Sequence, residues 1–366
     1  MEPYYYEQMT KPQQAVYRAM KNGLKNLEPS FWVPLSDGRE LSDIFFRLRL
    51  DCPEIFYASG FRYRFFPDGT NAELIPEYLF DKSKIQEQQK IMEARISKLA
   101  RPALHLDEKE KELYIHDFIC GNVRYDKLKK AYSHEIIGPL GQGVGVCEGI
   151  AKTVKVLCDR LGIWCIIAVS EANPQKKIKY RHAWNVIRTG GAYYHLDATF
   201  DNSLGCDNEI RYDYFNLDDG RFFRDHEPVI YKIPACTDGE HSYYREKKLS
   251  FTKQEEVAKR ALQAAKKGRM FTFHWRGGHL TRESLEELLA LLKQAAIQKE
   301  KHVLVRLNWP QAVLSASFVK DLPFDECTVQ EANEGERTGQ AEESPGSAIP
   351  GSVPRSDAAP SGTPPC

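Results

Sequence analysis

A cysteine preceded by glycines is the residue of this sequence best suited to chemistry. Residues 141–151 read GQGVGVCEGIA, and Cys147 stands where a helix is expected to begin. Unpaired backbone N–H groups and the positive end of the helix dipole favour a thiolate there, and the thiolate is the reactive form of cysteine. The same amides suit a developing oxyanion. We therefore predict a nucleophile at Cys147, the alternative being one more buried small apolar residue.

The other cysteines lack this setting. Cys158 falls inside the same predicted helix, and Cys165 lies in the apolar strand run WCIIAV, so both are expected to be inert core thiols. The rest have no comparable glycine-rich approach: Cys52, Cys120, Cys206, Cys236, Cys327 and Cys366.

Two predicted strands downstream supply a base and a group to orient it, which a cysteine nucleophile normally requires. The run HAWNVI begins at His182, the run AYYHLDA contains Asp197, and Thr189-Gly190-Gly191 between them is typical of a hairpin turn. A packed or surface histidine at a strand start is the alternative interpretation of His182.

The register of this hairpin decides whether His182 and Asp197 meet. A loop of Thr189 and Gly190 places them directly opposite each other, whereas a loop of Gly190 and Gly191 makes them diagonal neighbours on one face. A slip of one residue would put them on opposite faces. Because Gly-Gly is the more natural turn dipeptide, we favour the diagonal arrangement.

Asp197 is in an unusual place for an aspartate. Asp is disfavoured in strands and is costly to bury without a partner, which indicates His182 as that partner. His195 is the rival base, because it shares a strand face with Asp197. Asp201 and Asn202 follow the strand and are predicted to form a turn.

The order Cys, His, Asp, written here as GVCEGIA, HAWNVI and YHLDATF, resembles the core of transglutaminase-like proteins, a branch of the papain-like cysteine enzymes. The resemblance covers roughly residues 111–220 and includes the Leu161-Gly162-Ile163 that closes the helix. More weakly, DCPEIF and Arg124-Tyr125-Asp126 look like bacterial members with a helical lead-in. The resemblance implies an α+β fold with a papain-like or transglutaminase-like core, in which a helix begins at the nucleophile beside an antiparallel sheet.

The resemblance also implies a reaction. Cys147 would attack an amide carbonyl, His182 would accept the thiol proton, and Asp197 would orient the imidazole and stabilise its charge. Water as acceptor of the thioester gives hydrolysis, and an amine gives transamidation. Since bacterial members of this shape resemble peptidases more than cross-linkers, a hydrolytic cysteine peptidase or amidase is favoured. A protein-glutamine transamidase and a catalytically silent binding or scaffold module are the alternatives.

Gln142 is a candidate second donor to the oxyanion. It lies five residues before the cysteine and would offer a side-chain amide, as a glutamine does in papain-like enzymes. The alternative is a polar loop residue.

Several helices and strands are expected to position these residues. The patterns predict a helix at 12–28, strands within 56–79 around Pro67-Asp68-Gly69, a polar helix at 83–99 and another helix around Tyr114 and Phe118. A glycine-rich loop, a helix and three strands follow within 144–200. Beyond them, a helix at 253–267, a strand at 270–275, a helix at 284–299 and a strand at 302–307 indicate a small α/β subdomain.

Within that subdomain, Phe271, Phe273 and Trp275 alternate on one strand face and are expected to pack rather than bind. His274 and His279 lie beside Arg276-Gly277-Gly278, which we interpret as a solvated loop rather than a surface site.

We expect four regions along the chain. Residues 1–110 form a lead-in of helices and strands, 111–235 the catalytic core, and 250–325 the small α/β subdomain. Residues 330–366 are rich in Glu, Gly, Ser, Thr and Pro, cannot bury a core and are predicted to be disordered.

Composition excludes some functions. The 51 Lys and Arg equal the 51 Asp and Glu, so no global field favours a nucleic-acid or membrane partner. Nine cysteines without CxxC pairs and ten histidines without HExxH spacing argue against a disulfide framework and a metal site. No calcium-site or phosphate-loop signature is present, and no cofactor is expected. Without a signal peptide or membrane span, the sequence predicts a cytoplasmic protein acting on a peptide or protein substrate. The sequence does not indicate an oligomeric state.

Overall fold

The computed structural model describes residues 3–34, 37–65, 71–205 and 209–321, and these form two compact units. The first contains the described residues up to Ile210 together with Pro228–Pro234. The second contains Arg211–Glu227 and the described residues from Ala235 onward. This division differs from the expected one, because the lead-in belongs to the same unit as the segment from 111. The second unit also begins well before residue 250.

The first half of the first unit mixes helices with a small sheet. Its elements are α1 (Tyr4–Glu7), α2 (Lys11–Lys25), β1 (Phe31–Pro34), α3 (Gly38–Asp51), β2 (Ala58–Phe65), β3 (Asn71–Tyr78) and α4 (Lys82–Ala100). The strands lie in the order β1-β3-β2 with antiparallel pairing. The helices predicted at 12–28 and 83–99 and the two strands are confirmed. The predicted turn at Pro67-Asp68-Gly69 lies outside the described residues.

The second half of the first unit holds the predicted site. Its elements are α5 (Glu108–Asn122), β4 (Arg124–Tyr125), β5 (Val144–Gly145), α6 (Cys147–Leu161), β6 (Trp164–Ser170), β7 (His182–Thr189), β8 (Ala192–Leu196) and α7 (Ala198–Leu204). Strands β6, β7 and β8 pair antiparallel in chain order, and β4 pairs with β5 in parallel. The expected helix followed by three strands is confirmed.

Local sequence explains how α6 starts and stops. Its predicted apolar face is buried, from Ile150 through Val154 and Leu157 to Leu161. The helix ends at Gly162, whose φ of 76° lies in the left-handed region that glycine adopts without strain. The lead-in contributes to the same core, since Phe46 and Leu50 of α3 pack in a cluster with Cys147, which is why residues 1–110 do not form a separate unit.

The β7–β8 hairpin has the predicted even register. Thr189 pairs with Ala192 and Asn185 pairs with Leu196, so the loop consists of Gly190 and Gly191. Both glycines have positive φ, at 59° and 87°, as a two-residue hairpin turn of this kind requires. The favoured Gly190-Gly191 loop is therefore confirmed, and the paired register ends at Asn185 and Leu196, short of His182 and Asp197.

The second unit is an α/β unit with its own core. Its elements are β9 (Phe215–Leu217), α8 (Asp219–Phe222), α9 (Tyr243–Glu246), β10 (Ser250–Phe251), α10 (Gln254–Lys267), β11 (Phe271–Trp275), α11 (Arg282–Ile297), β12 (His302–Asn308) and β13 (Val313–Val319). A four-stranded sheet has the order β10-β11-β13-β12, with only β10 and β11 parallel. The predicted helices and strands are confirmed, and β13 was not predicted.

The structure also tests two expectations about side chains of β11. Phe271, Phe273 and Trp275 are buried in the core of this second unit, as expected. His274, by contrast, is a buried strand residue and not part of a solvated loop.

Candidate active site

Cys147 is the first residue of α6, as the sequence predicts. The residue before it, Val146, provides no side-chain cap, so the amides of the first turn face the region around the thiol without a competing capping group. Cys147 is 7% exposed and packs with Ala151, Val169 and Ala183. The thiol thus lies at the positive end of a helix, against the edge of an apolar cluster.

The structure brings His182 to both of its predicted partners. Its Nε2 lies 2.5 Å from Asp197 Oδ2, and its ring also forms a hydrogen bond with the Cys147 side chain. Since Nε2 faces the carboxylate, Nδ1 is the nitrogen left for the thiol. Cys147, His182 and Asp197 therefore form one continuous chain of side-chain contacts.

Asp197 is held from two directions. Strand β8 ends at Leu196, so Asp197 is the N-cap of α7 rather than the strand residue that we expected. Its Oδ1 accepts hydrogen bonds from the amides of Thr199 at 2.9 Å and Phe200 at 3.0 Å, while Oδ2 is left to face His182. The carboxylate is fully buried, and these donors replace its lost solvation.

The surroundings of His182 favour its charged form. The ring stacks on Trp184 and lies against Phe200, with centroids 5.9 Å and 4.8 Å away. Burial opposes protonation, but the nearby Asp197 carboxylate and Cys147 side chain outweigh it and raise the pKa of His182 to about 10. At neutral pH the imidazole is thus cationic, which stabilises a thiolate beside it.

A family model matches the segment that contains these residues. Residues 97–198, which include Cys147, His182 and Asp197, match the model of the Transglutaminase-like superfamily, Transglut_core. These residues form a transglutaminase-like core. A comparison with curated proteins found no match.

Similarity to solved structures is low. A crystal structure of a TGase is 12% identical, with 50% of this chain and 53% of that chain covered and a TM-score of 0.27. A protein described as "a Putative Cysteine Protease from Cytophaga hutchinsonii" is 18% identical, with 38% and 61% covered and a TM-score of 0.26. Menin, in a structure said to reveal its binding site for the Mixed Lineage Leukemia protein, is 14% identical, with 79% and 52% covered and a TM-score of 0.26. The chain thus spans about half to three-fifths of the length of these proteins.

His195, the rival base in the transglutaminase-like core, bonds to Trp184. His195 is fully buried, and its Nδ1 accepts a hydrogen bond from Trp184 Nε1 at 3.0 Å. Because Trp184 stacks on His182, His195 supports the ring that packs against the imidazole.

Gln142 has no visible connection to the nucleophile. It ends a π-helical turn, Gly138–Gln142, and its side chain is exposed. It is not among the residues that line the cavity beside Cys147. Its role as an oxyanion donor stays a prediction that its position does not support.

Asp201 and Asn202 do not form the predicted turn. They lie in α7, because the Asp197 cap starts a helix directly after the strand. Asp201 is buried and bonded through Oδ2 to His116 Nε2 at 3.0 Å, while Asn202 donates to the carbonyl of Val123 at 2.8 Å. Both residues attach α7, and with it Asp197, to the region of α5.

A cavity of about 330 Å³ lies beside Cys147 and His182. The lead-in contributes Phe46, Arg49 and Leu50 to its wall, together with Ser59 and Leu79. These residues lie far from the cysteine in sequence and carried no recognisable pattern, so sequence reasoning missed them.

Part of the cavity wall belongs to a balanced cluster of four buried charges. Arg49 and Lys152 both contact Glu135 and Glu148, with Lys152 Nζ 2.7 Å from Glu148 and Arg49 3.1 Å from it. Glu148 directly follows the nucleophile, so the cluster fixes the first turn of α6 to α3 and to the loop at Glu135. The spacing of Glu148 and Lys152, four residues apart on one helix, was the one available signal.

Two further cysteines lie in the core, as expected. Cys158 and Cys165 are buried, and burial raises the pKa of Cys158 well above its ordinary value. No disulfide forms among the six cysteines in the described ranges. Within those ranges, no helix is long and apolar enough to cross a membrane.

Proposed function

We propose that this protein is a cysteine-dependent acyl-transfer enzyme that acts on peptide or amide bonds. The observation that carries the proposal is the contact chain from Cys147 at the start of α6 through His182 to the buried Asp197. A nucleophile, a base and a group that orients the base are the parts such chemistry needs.

The reaction would begin from an ion pair. The thiol proton of Cys147 moves to His182, whose raised pKa favours holding it. The thiolate then attacks the substrate carbonyl, and the new oxyanion lies near the amides of the first turn of α6. The imidazolium gives its proton to the leaving amine, which leaves a thioester on Cys147.

Hydrolysis is the favoured fate of this thioester. In that step His182, now neutral, takes a proton from water as the water attacks, and the thiolate leaves. An amine in place of water would give transamidation. The resemblance to bacterial peptidases supports water as the acceptor, and the residues around Cys147 do not distinguish the two.

A thiol-labelling experiment tests the nucleophile. The full chain is treated with limiting iodoacetamide at neutral pH, and the labelled cysteines are quantified by peptide mass spectrometry. We expect Cys147 to react at least about tenfold faster than Cys120, a partly exposed thiol on α5 that also has a histidine partner, His116, but no helix start. Equal or slower labelling of Cys147 would exclude an activated nucleophile and leave a silent binding module.

A second experiment distinguishes the acceptors. The protein and its Cys147→Ser variant are incubated with a peptide library, with and without a fluorescent primary amine. We expect cleaved peptides that depend on Cys147 and no incorporated amine. Incorporated amine without cleavage would instead show a transamidase.

A further inference from the structure

Arg221, on α8 in the second unit, is buried and its guanidinium forms no hydrogen bond. It is 8% exposed, and none of its three guanidinium nitrogens has a hydrogen-bond partner. Burial lowers its pKa to about 10; Asp218 and Asp213 act in the opposite direction, and Arg224 and Arg245 add to the effect of burial. The group is still charged at neutral pH. Burying a charged group without hydrogen bonds is destabilising, so an anion bound to this guanidinium would stabilise the fold.

Other buried donors near Arg221 also lack acceptors. They are Arg245 Nε, Trp275 Nε1 and Ser242 Oγ. We call these three residues and Arg221 the Arg221 cluster. Three different side-chain types therefore point N–H or O–H groups at no acceptor.

Backbone contacts connect the members of the cluster. The Arg221 carbonyl accepts a hydrogen bond from Gln311 Nε2 at 3.2 Å. Ala312 follows Gln311 in the chain, and its carbonyl accepts a hydrogen bond from the Trp275 amide at 2.8 Å. Ser242 is the N-cap of the turn that carries Arg245, whose amide bonds to the Ser242 carbonyl at 3.0 Å. The cluster therefore lies around one end of β11 and the residues packed on it.

The same positive charges lower the pKa of a buried histidine, His274. His274 is buried beside Trp275, and burial together with the charges of Arg221, Arg245, Arg224 and Arg276 lowers its pKa to about 2. A neutral imidazole adds no further cation to the region.

The nearby carboxylates form no hydrogen bond with the Arg221 guanidinium. Asp213 accepts from Arg211, Tyr244 and Asn308, and Asp218 accepts the backbone amide of Arg221 at 3.0 Å as the cap of α8. Arg245 is paired through Nη1 with Glu240, but its Nε is not satisfied by that contact.

We propose that the Arg221 cluster binds a tetrahedral oxyanion, the phosphate group of a small ligand. Donors from two arginines, an indole and a hydroxyl suit an acceptor with several oxygens, and the planar fork of Arg221 matches two oxygens of a phosphate. The cluster belongs to the second unit, and the proposal does not depend on the proposed acyl transfer.

Thermal unfolding of the full chain tests this site with inorganic phosphate as the probe. Melting is followed in sodium phosphate, sodium acetate and sodium chloride at equal ionic strength. We expect phosphate to raise the melting temperature in a saturable way, by more than either other salt, because an anion that binds only the folded state stabilises it.

The variant Arg221→Met separates a ligand site from a structural arginine. We expect it to lose the response to phosphate and, in chloride, to melt no lower than the wild type, because it removes a buried charge that forms no hydrogen bonds. Arg269→Met, which removes an exposed arginine of the same unit, is the matched control and should keep the response. A wild type that responds no more to phosphate than to acetate or chloride, or an Arg221→Met variant that still responds, would overturn the proposal.

Trp275→Phe covers the case in which Arg221→Met does not fold. It keeps an aromatic ring in the core and removes only the Nε1 donor, so the affinity for phosphate should fall about tenfold in calorimetric titration. An unchanged affinity would contradict the assignment of Trp275 to the site.

Discussion

One carboxylate, that of Asp197, connects the chemistry of the site to the fold. Oδ2 faces His182, while Oδ1 accepts the two amides that start α7. The cap fixes the carboxylate, and the carboxylate fixes the imidazole. A substitution at this position therefore changes two properties, which a suitable pair of variants separates.

Asp197→Asn should remove the charge and keep the cap, because the amide oxygen of asparagine still accepts from backbone N–H groups. We expect kcat/KM to fall about 100-fold or more, since the imidazolium loses its counter-charge. Asp197→Ala should lose activity and, in addition, about 1 kcal/mol of unfolding free energy through the lost cap. Peptide-cleavage kinetics and urea denaturation measure the two effects, and unchanged kinetics in Asp197→Asn would remove Asp197 from the mechanism.

The raised pKa of His182 predicts how stability depends on pH. Its charged form is favoured in the folded state, so the stabilisation is complete below the ordinary value of 6.5 and is lost as pH rises through about 10. The wild type should therefore lose more unfolding free energy between pH 7 and 10 than His182→Gln does. Urea denaturation at each pH checks the difference between the two proteins, and parallel curves would show that His182 is not charged in the fold.

Helix and strand ends that follow from a local sequence pattern could be predicted. Contacts with residues distant in sequence could not. The start of α6 follows from its glycine-rich approach, and the end of β7 follows from the Gly190-Gly191 turn. The sequence pattern predicts Asp197 to be a strand residue, whereas it is the N-cap of α7. A buried N-cap directly after a strand has the same apolar neighbours in sequence as one more residue of that strand.

The cavity wall shows the limit of local patterns. Arg49 meets Glu135 and Glu148 only because α3 packs beside the start of α6. In the sequence alone, a charged residue in a helix, such as Arg49 in α3, indicates a solvent-exposed face. Tertiary packing decides such contacts, and no periodicity in a single sequence encodes them.

Close packing at the start of α6 predicts an effect of Gly149. A Cβ at this position would lie 2.1 Å from the Ser133 carbonyl oxygen, which is backbone and cannot swing away. Gly149→Ala should therefore displace the first turn that carries Cys147, slowing its alkylation at least about tenfold and destabilising the fold by about 1–3 kcal/mol.

Gly121→Ala is the matched control for that substitution. Gly121 lies inside α5 with nothing within 4 Å of an added Cβ, so alanine should leave labelling unchanged and raise helix stability by about 0.5–1 kcal/mol. Iodoacetamide labelling and urea denaturation of both variants measure this contrast. Normal labelling in Gly149→Ala would show that the first turn is not packed as tightly as the contacts indicate.

At the scale of the whole molecule, the chain passes between two units more than once. It enters the second unit at Arg211, returns for Pro228–Pro234 and leaves again at Ala235. In the returning segment, the Ile230 amide bonds to the Val169 carbonyl at 2.9 Å, and Val169 lines the cavity beside Cys147. Each unit nevertheless has an apolar cluster of its own.

Because each unit has its own core, a large-to-small substitution in the core of the second unit should leave the reactivity of Cys147 unchanged. Phe273 is fully buried among residues such as Val257 and Leu288, so Phe273→Ala should cost about 3–5 kcal/mol of that unit's unfolding free energy. Cys147 labelling should persist at denaturant concentrations at which Trp275 fluorescence has already changed. Phe45→Ala, in the first unit, should have the opposite effect, reducing labelling first. If both variants lose labelling and fluorescence together, the two units unfold as one.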